Sequence, residues 1–387
     1  MIYVAKRLNN TRVHSNQGIW WLLAISAGLI LTTESVVIGA GLFAVVATVT
    51  ASAITPLATL VILLILAPMR TLILTEANTQ LPIDIGQLLL IGLFGFWLGT
   101  IIIRKHTIMS SLRWSPVYIP LLIFVVVISI SAFGSLSLGV WFNEWLKWIQ
   151  ILILVTTIVS FVRGEQWIWL IFGMIVAGTS NALIGIYEFF GGSGALHLLI
   201  NNRFFRAFGT FGQPNPFGAF MGMLAPLGIM LTIGYTLRLF HKSRTGQRIV
   251  YTDFISTIFF ALSTGVIILG LVVSWSRGAW LGFIASSFII LILLPQKLWQ
   301  SVLLATGMIT VGLLIATSSF IPTSIVSRIQ SSTQEIFNIH DVRGVEITSE
   351  NFAVLERLAH WQAALNMATN KPWLGVGIGN YEVAYDN

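Results

Sequence analysis

Residues 207–237 read AFGTFGQPNPFGAFMGMLAPLGIMLTIGYTL and contain no Asp, Glu, Lys or Arg. About 20 apolar residues are enough for a helix to cross a bilayer, so this run predicts a membrane span. The whole chain has the same character, because 56% of its 387 residues are hydrophobic and only 9% are charged. This composition excludes an ordinary soluble globular protein and predicts an integral membrane protein.

Uncharged apolar runs along the rest of the chain predict an all-α, polytopic membrane protein with about eleven transmembrane helices. One long run, Ser35 to Met69, is divided at Ile54-Thr55-Pro56 because it is too long for a single crossing. The predicted spans are 18–33, 36–52, 54–68, 85–103, 116–134, 144–162, 166–188, 214–237, 254–275, 279–295 and 299–320.

Basic residues cluster in five places that all fall on one side of the membrane if there are eleven spans. By the positive-inside rule this side is the cytoplasm, and the amino terminus lies inside. The five groups are Lys6, Arg7 and Arg12; Arg104, Lys105 and Arg113; Arg163; Arg238, Lys242, Arg244 and Arg248; and Lys297. Residues 321–387 carry charges of both signs and no run that could span, so they are expected to form an outer soluble segment.

Three arginines are exceptions to this charge rule, since the predicted topology places them on the outer face. Arg203 and Arg206 precede the uncharged run, and Arg277 lies at the outer turn between two spans. Interfacial arginines often anchor a helix end by reaching the headgroups. Guanidinium groups also grip phosphate oxygens with paired hydrogen bonds, so the same residues are candidates for holding an anionic, lipid-borne substrate.

Other polar residues near the span ends have both structural and functional interpretations. Asn215 follows Pro214 at a predicted helix start, where it either caps the helix or presents its amide to a sugar. Glu188 is predicted to be solvated at the headgroup level, and Asn181 to form an interhelical hydrogen bond.

The outer segment contains a predicted amphipathic helix at 350–369, which Lys371-Pro372 ends. His360 on this helix is a candidate general base, although a surface or packed histidine is the commoner case. Residues 375–379, with three glycines, are expected to form a flexible turn rather than a nucleotide loop, because no strand precedes them. The chain has no cysteine and no metal-ligand spacing, so disulfides, thiolate sites and a metal centre are not expected.

Several short motifs together resemble the O-antigen ligase family, which also includes O-antigen polymerases and protein-glycosylating relatives. The resemblance covers roughly residues 200–387. The motifs are Arg206-Ala207-Phe208-Gly209-Thr210-Phe211 with Pro214-Asn215; Ser274-Trp275-Ser276-Arg277-Gly278-Ala279-Trp280; Arg357 with Trp361; and Asn370-Lys371-Pro372-Trp373-Leu374-Gly375-Val376-Gly377-Ile378-Gly379.

This resemblance implies a glycosyltransferase that needs neither a metal nor a cofactor and works at the outer face of the bacterial cytoplasmic membrane. The donor would be a glycan on undecaprenyl diphosphate, and the acceptor a hydroxyl of lipid A core, a glycan or a protein. Arg206 and Arg277 would bind the diphosphate as catalytic residues. Arg203 and Asn215 are candidate substrate contacts from their positions in the sequence, with a mere anchor as the alternative for Arg203. Family members place a His-Asn pair after the glycine-rich turn. Since no such pair follows here, the chain is expected to be truncated and to lack this base.

The expected organisation is an amino-terminal set of transmembrane helices (1–190), a core carrying the arginine motifs (191–320) and the incomplete outer segment (321–387). A transporter or flippase of lipid-linked saccharides is the alternative function, with a non-catalytic membrane scaffold as a weaker third. A transporter is expected to carry ionisable residues along its span interiors. The predicted spans are almost without charge, which favours chemistry at the outer face.

Overall fold

The computed structural model describes residues 56–69, 90, 94, 112–192, 198–200, 203–293, 295, 297–317 and 352–385. The predicted spans 18–33, 36–52 and 85–103 lie outside these residues, apart from the isolated Leu90 and Phe94. The described part of the chain is mostly helical. The total of eleven spans stays a prediction.

The first eight helices coincide closely with predicted spans, because each contains a long apolar run that ends near charged or turn-forming residues. Short 3₁₀ turns follow or precede several of them, at Ala67–Met69, Ser131–Gly134, Gly164–Gln166 and Gly209–Phe211, and a π-helical turn covers Glu188–Gly192. The helices are α1 (Pro56–Leu66), α2 (Tyr118–Ile130), α3 (Leu138–Phe161), α4 (Trp167–Tyr187), α5 (Pro214–Arg244), α6 (Tyr251–Val273), α7 (Arg277–Leu293), α8 (Leu298–Thr317), α9 (Phe352–Asn370) and α10 (Tyr381–Tyr385).

Among the described residues, four helical stretches are long and apolar enough to cross a membrane: Leu138–Phe161, Gly164–Gly191, Pro214–Arg244 and Tyr251–Val273. Shorter apolar helices accompany them, including Arg277–Leu293. These features identify a multi-pass membrane protein. The inside-outside orientation and the division of the sequence at 190 and 320 stay predictions.

The chain divides into two compact units, residues 1–113 with 157–173 and residues 114–156 with 174–387. In the first unit, Gly173 of α4 packs closely on Val61 of α1, since a Cβ at Gly173 would lie 3.2 Å from the Val61 backbone and side chain. In the second unit, α5 packs mainly against α6 and α7.

The core of the second unit lies where α4, α5 and α6 meet. Glycines on α4 and α6 allow this contact. A Cβ at Gly185 would lie 2.5 Å from the Phe217 ring, and one at Gly270 would lie 2.8 Å from Ala182. Such small residues let apolar helices approach closely where the hydrophobic effect cannot drive association. The side chains buried here are Ile175, Ala182, Phe217, Met221, Leu224, Ile267 and Leu271.

Charged residues join α5 and α6 at the end of their hairpin. The carboxylate of Asp253 accepts hydrogen bonds from the Lys242 ammonium and from the Val250 backbone N–H, and Arg238 Nε lies 3.6 Å from its other oxygen. Asp253 is buried, so these contacts compensate a charge that would otherwise be costly at this position.

A two-stranded antiparallel hairpin precedes the Arg206 motif. Its strands, β1 (Leu199–Ile200) and β2 (Phe204–Phe205), pair Leu199 with Phe205 and Ile200 with Phe204. The sequence analysis predicted no strand here, because two-residue strands leave no alternating pattern to detect.

The predicted helix at 350–369 is confirmed as α9, Phe352–Asn370. The glycine-rich turn after α9 makes specific contacts with the segment 131–137 between α2 and α3. Asn380 is fully buried there, and its side-chain oxygen accepts a hydrogen bond of 2.8 Å from the backbone N–H of Ser137. The sequence analysis did not predict this docking.

Candidate functional site

The loop that carries Arg206 is fixed through its backbone. The N–H of Arg206 donates to the carbonyl of Leu198 at 2.9 Å, and the N–H of Ala207 donates to the carbonyl of Val273 at 3.0 Å. Ala207 is fully buried. The loop is therefore attached both to the hairpin before it and to the end of α6.

Glu188 holds the next two residues of this loop. Its Oε2 accepts hydrogen bonds from the N–H groups of Phe208, at 2.8 Å, and Gly209, at 2.7 Å. Glu188 is buried, with 6% of its surface exposed. The predicted solvated position at the headgroup level is therefore wrong, because a buried carboxylate is kept here by two backbone donors.

Asn181, seven residues before Glu188 on the same helix, holds the following residue. Its Oδ1 accepts hydrogen bonds from both the N–H, at 3.2 Å, and the hydroxyl of Thr210, while its Nδ2 donates to the carbonyl of Ala177. Asn181 and Thr210 are both buried. The predicted interhelical hydrogen bond of Asn181 is wrong, because its partners are the loop residue Thr210 and a carbonyl of its own helix.

The Arg206 side chain joins the two arginine motifs. Its Nε lies 3.4 Å from the carbonyl oxygen of Ser274, and its Nη2 lies 3.3 Å from Oδ1 of Asn215. The same Asn215 oxygen accepts a hydrogen bond of 3.2 Å from the Ser276 hydroxyl. Residues that are up to 70 positions apart in the sequence thus form one hydrogen-bonded group.

Asn215 lies in the first turn of α5, after Pro214, and it does not cap the helix. The N-cap residue is Gln213, which makes no side-chain capping bond. The side-chain oxygen of Asn215 faces Arg206 and Ser276 instead. The capping alternative for this residue is therefore wrong.

The turn at 274–276 has a constrained conformation. Ser274 is fully buried, its hydroxyl donates to the carbonyl of Leu271 at 2.7 Å, and the same hydroxyl accepts from the N–H of Ser276. Trp275 has a φ of 50°, in the left-handed region that a bulky residue rarely adopts. Such conformations persist only where the surrounding contacts determine them, and they concentrate at functional sites.

The first turn of α5 packs directly against this turn. A Cβ at Gly218 would lie 2.7 Å from Cβ of Ser276 and 2.8 Å from Oγ of Ser274, so only glycine permits the observed distance. The close approach places Asn215, one helical turn earlier, beside the Ser276 hydroxyl.

Arg277 is the first residue of α7 and is half-buried. Its predicted location at the turn of a helical hairpin is confirmed, since α6 ends at Val273 and α7 begins at Arg277. Arg206 contacts the carbonyl of Ser274, three residues earlier. The structure therefore brings both arginines to the same turn, beside the positive end of the α7 dipole.

Arg203 is separate from this hydrogen-bonded group. It is exposed in the turn between β1 and β2, and its guanidinium lies over the Phe204 ring, 5.1 Å from the centroid. Phe204 in turn stacks on Phe189 at 4.7 Å. These contacts agree with an interfacial or auxiliary role.

His360 is an exposed residue of α9 that contacts α10. Its Nδ1 lies 2.8 Å from the hydroxyl oxygen of Tyr381, and this hydroxyl also donates to the backbone carbonyl of His360 at 3.0 Å. Desolvation, and then the neighbouring Tyr385, raise the pKa of the Tyr381 phenol. In the described part of the chain, the hydrogen bonds of His360 go to Tyr381 and none reaches the arginine turn.

Comparison with protein families gives a match to a model described as O-antigen ligase, over residues 258–387. The matched region is about a third of the chain. The family resemblance carried by the sequence motifs is thereby confirmed. Searches of curated proteins and of solved structures found no match.

The matched region contains the Ser274 turn, Arg277 and His360. Arg206 and Asn215 lie before it in the sequence and complete the hydrogen-bonded group from outside the matched region. The match supports a function of the membrane glycan ligase or polymerase kind. It also implies a lipid-linked glycan donor and an acceptor in the membrane.

Sequence reasoning missed Glu188 and Asn181, the residues that hold the arginine loop. The sequence did indicate that the two residues act together, because their seven-residue spacing places them on a common face of a helix. A single sequence could not show that both face the loop at 208–210.

Proposed function

We propose that the protein transfers a glycan from undecaprenyl diphosphate to an acceptor hydroxyl at the outer face of the cytoplasmic membrane. The observation that supports this most is the placement of Arg206. Its guanidinium lies against the turn that precedes Arg277, and its backbone N–H is bonded to Leu198. The buried Glu188 holds the next part of the same loop. A cation fixed in this way can meet an anion with little loss of conformational entropy.

In the proposed reaction, the acceptor hydroxyl oxygen attacks the anomeric carbon that joins the glycan to the diphosphate. The bond between this carbon and the diphosphate oxygen breaks, and its electron pair leaves with the diphosphate. Arg206 and Arg277 bind the phosphate oxygens and stabilise the charge as it develops. Asn215 contributes its amide N–H groups to a phosphate or sugar oxygen, since its carbonyl oxygen is bound by Arg206 and Ser276.

The proton of the acceptor hydroxyl requires a base, and His360 is our candidate in this chain. The Tyr381 phenol has a single proton, and it is donated to the backbone carbonyl of His360. The phenol oxygen can then only accept from the imidazole Nδ1, so Nδ1 must carry a proton. The other ring nitrogen, Nε2, is then the basic one. This assignment rests on the local geometry alone, because the family places its histidine later in the sequence.

Transfer by arginine variants of the full-length protein tests this proposal. Arg206→Ala and Arg277→Ala are each expected to lower the transfer rate by about 100-fold or more, as the loss of a charge-stabilising donor does in other enzymes. Arg244→Ala is the matched control, because Arg244 is an exposed arginine at the opposite end of α5, over the Phe240 ring. Its transfer rate and membrane level should equal those of the wild type.

Wild-type transfer by Arg206→Ala or Arg277→Ala would refute the assignment of the site. Reconstituted vesicles separate the proposal from the transporter alternative. Movement of lipid-linked saccharide across the bilayer without a new glycosidic bond would favour the transporter.

A further inference from the structure

An open groove of about 430 Å³ lies between the segment 133–135, which follows α2, and the turn that follows α9. Its two sides are about 240 residues apart in the sequence. The groove is lined by Phe133, Gly134, Ser135, Lys371, Pro372, Trp373, Leu374 and Gly375. Its volume lies within the range of about 300–1,000 Å³ that is typical of small-molecule sites.

The two sides of the groove are joined by the buried side chain of Asn380. Its Oδ1 accepts from the N–H of Ser137 at 2.8 Å, and its Nδ2 donates to the Ser135 hydroxyl at 2.9 Å. The N–H of Leu136 donates to the carbonyl of Val376. The groove is therefore formed by the fold itself and needs no ligand to assemble it.

Glycines allow the two segments that border the groove to approach each other closely. A Cβ at Gly134 would lie 2.8 Å from the carbonyl oxygen of Gly375 and from Cβ of Leu374. Gly377 has a φ of 87°, and a Cβ there would lie 2.8 Å from Ser135. The backbones of the two segments thus meet directly.

Two aromatic rings at the groove are almost fully exposed, Trp373 at 95% and Phe133 at 87%. Lys371, also exposed, places an ammonium group beside them. Exposed aromatic surface of this kind commonly marks a binding site. A purely hydrocarbon ligand would contact the rings but would leave the ammonium without a polar partner.

We propose that this groove binds a sugar ring of the glycan. A sugar has an apolar C–H face that packs on an aromatic ring, and a rim of hydroxyl oxygens that can accept from Lys371. The mixed lining of the groove matches this combination better than it matches an apolar ligand. The inference rests on the proposed transferase function, since that function supplies the glycan.

Photo-crosslinking in cells that make the glycan tests the proposal without knowledge of the sugar. Benzoylphenylalanine replaces Trp373 in the full-length protein, and the purified product is stained for periodate-oxidised glycan. A light-dependent glycan adduct is expected at position 373. The control position is Leu365, a 66% exposed residue of α9 outside the groove, where no adduct is expected. An adduct with lipid alone, or no adduct, would overturn the proposal.

A second measurement asks directly whether the groove faces water or lipid. Because the chain contains no cysteine, Trp373→Cys gives a unique site for a nitroxide label. In reconstituted vesicles, a water-soluble nickel complex should accelerate the spin relaxation of the nitroxide more than oxygen does. Preferential relaxation by oxygen would place the ring in the bilayer and would also overturn the proposal.

Different experimental results would contradict the proposed sugar-binding groove and the proposed phosphate site. Phe133→Ala with Trp373→Ala should raise the KM for glycan transfer roughly threefold to tenfold while undecaprenyl diphosphate binds as in the wild type. Unchanged transfer in this double variant would contradict the groove alone. Persistence of transfer in Arg206→Ala would contradict the phosphate site and leave the crosslinking result intact.

Discussion

The side-chain oxygen Oε2 of Glu188 lies 2.7 Å from the backbone nitrogen of Gly209, and the same oxygen also accepts from Phe208. Two consecutive N–H groups therefore depend on one buried carboxylate. Arg206 is only two residues before the first of them, so the position of its guanidinium depends on this contact.

Glu188→Ala should lower both stability and transfer. Each buried donor that loses its acceptor costs about 1–3 kcal/mol, so the loss should be at least about 2 kcal/mol. Glu188→Gln retains an oxygen that can accept from both N–H groups, so it should lose less than Glu188→Ala. The measurements are the melting temperature in detergent and the transfer rate at a matched membrane level.

The control for Glu188 is Glu165→Gln, because Glu165 is exposed in the 3₁₀ turn at the start of α4. It should leave both quantities unchanged. Full transfer by Glu188→Ala would show that the loop does not need this carboxylate.

Asn181→Ala and Thr210→Val should show energetic coupling, because the two side chains are bonded directly and both are buried. A double-mutant cycle of unfolding free energies should give a coupling of about 1 kcal/mol. The cycle of Ser180→Ala with Thr210→Val is the control, since the Ser180 hydroxyl bonds to Val176 in its own helix. Additive effects of Asn181→Ala and Thr210→Val would argue against the direct bond.

Gly218→Ala should displace the turn that Arg206 contacts. The new Cβ would lie 2.7 Å from Ser276, and overpacking of this kind costs about 1–3 kcal/mol. We expect a lower melting temperature and reduced transfer.

Gly234→Ala is the matched control on the same helix, because a Cβ at Gly234 would meet nothing within 4 Å. It should be neutral or stabilising by up to about 1 kcal/mol, since alanine favours the helix. Equal effects of the two substitutions would contradict close packing at Gly218.

Asn380→Ala should release the glycine-rich turn from the segment 131–137. The N–H of Ser137 would lose its acceptor, with an expected cost of about 1–3 kcal/mol. Hydrogen exchange should then accelerate at residues 135–137. The control is Asn370→Ala, at the exposed end of α9, which should leave these exchange rates unchanged. Unchanged exchange rates in Asn380→Ala would contradict the docking.

Much of the helical framework could be predicted from the sequence, because uncharged runs such as 254–275 determine a helix by composition alone. Arg277 was also placed correctly at a hairpin turn, since apolar runs long enough to span lie on both sides of it. These inferences depend on local sequence. The three predicted spans outside the described residues, and the topology, stay predictions.

The contacts that form the candidate site could not be predicted, because they join residues distant in sequence. Glu188 was misinterpreted since its position near a span end resembles that of a solvated headgroup contact. The burial of Asn380 could not be predicted, because an asparagine beside glycines usually belongs to an exposed turn. The predicted topology already placed Arg206 and Arg277 on one face, and the family resemblance gave them a shared role. The contact of Arg206 with the Ser274 turn has its physical basis in Asn215 and Gly218.

The affinity of the full-length protein for undecaprenyl diphosphate is the measurement that tests the central claim most directly. The wild type, Arg206→Lys, Arg206→Ala and the control Arg244→Ala would be compared in the same detergent. Loss of charge-assisted hydrogen bonds predicts that Arg206→Ala binds about tenfold to a hundredfold more weakly, with Arg206→Lys between it and the wild type. Equal dissociation constants for Arg206→Ala and the wild type would contradict a phosphate-binding role for Arg206.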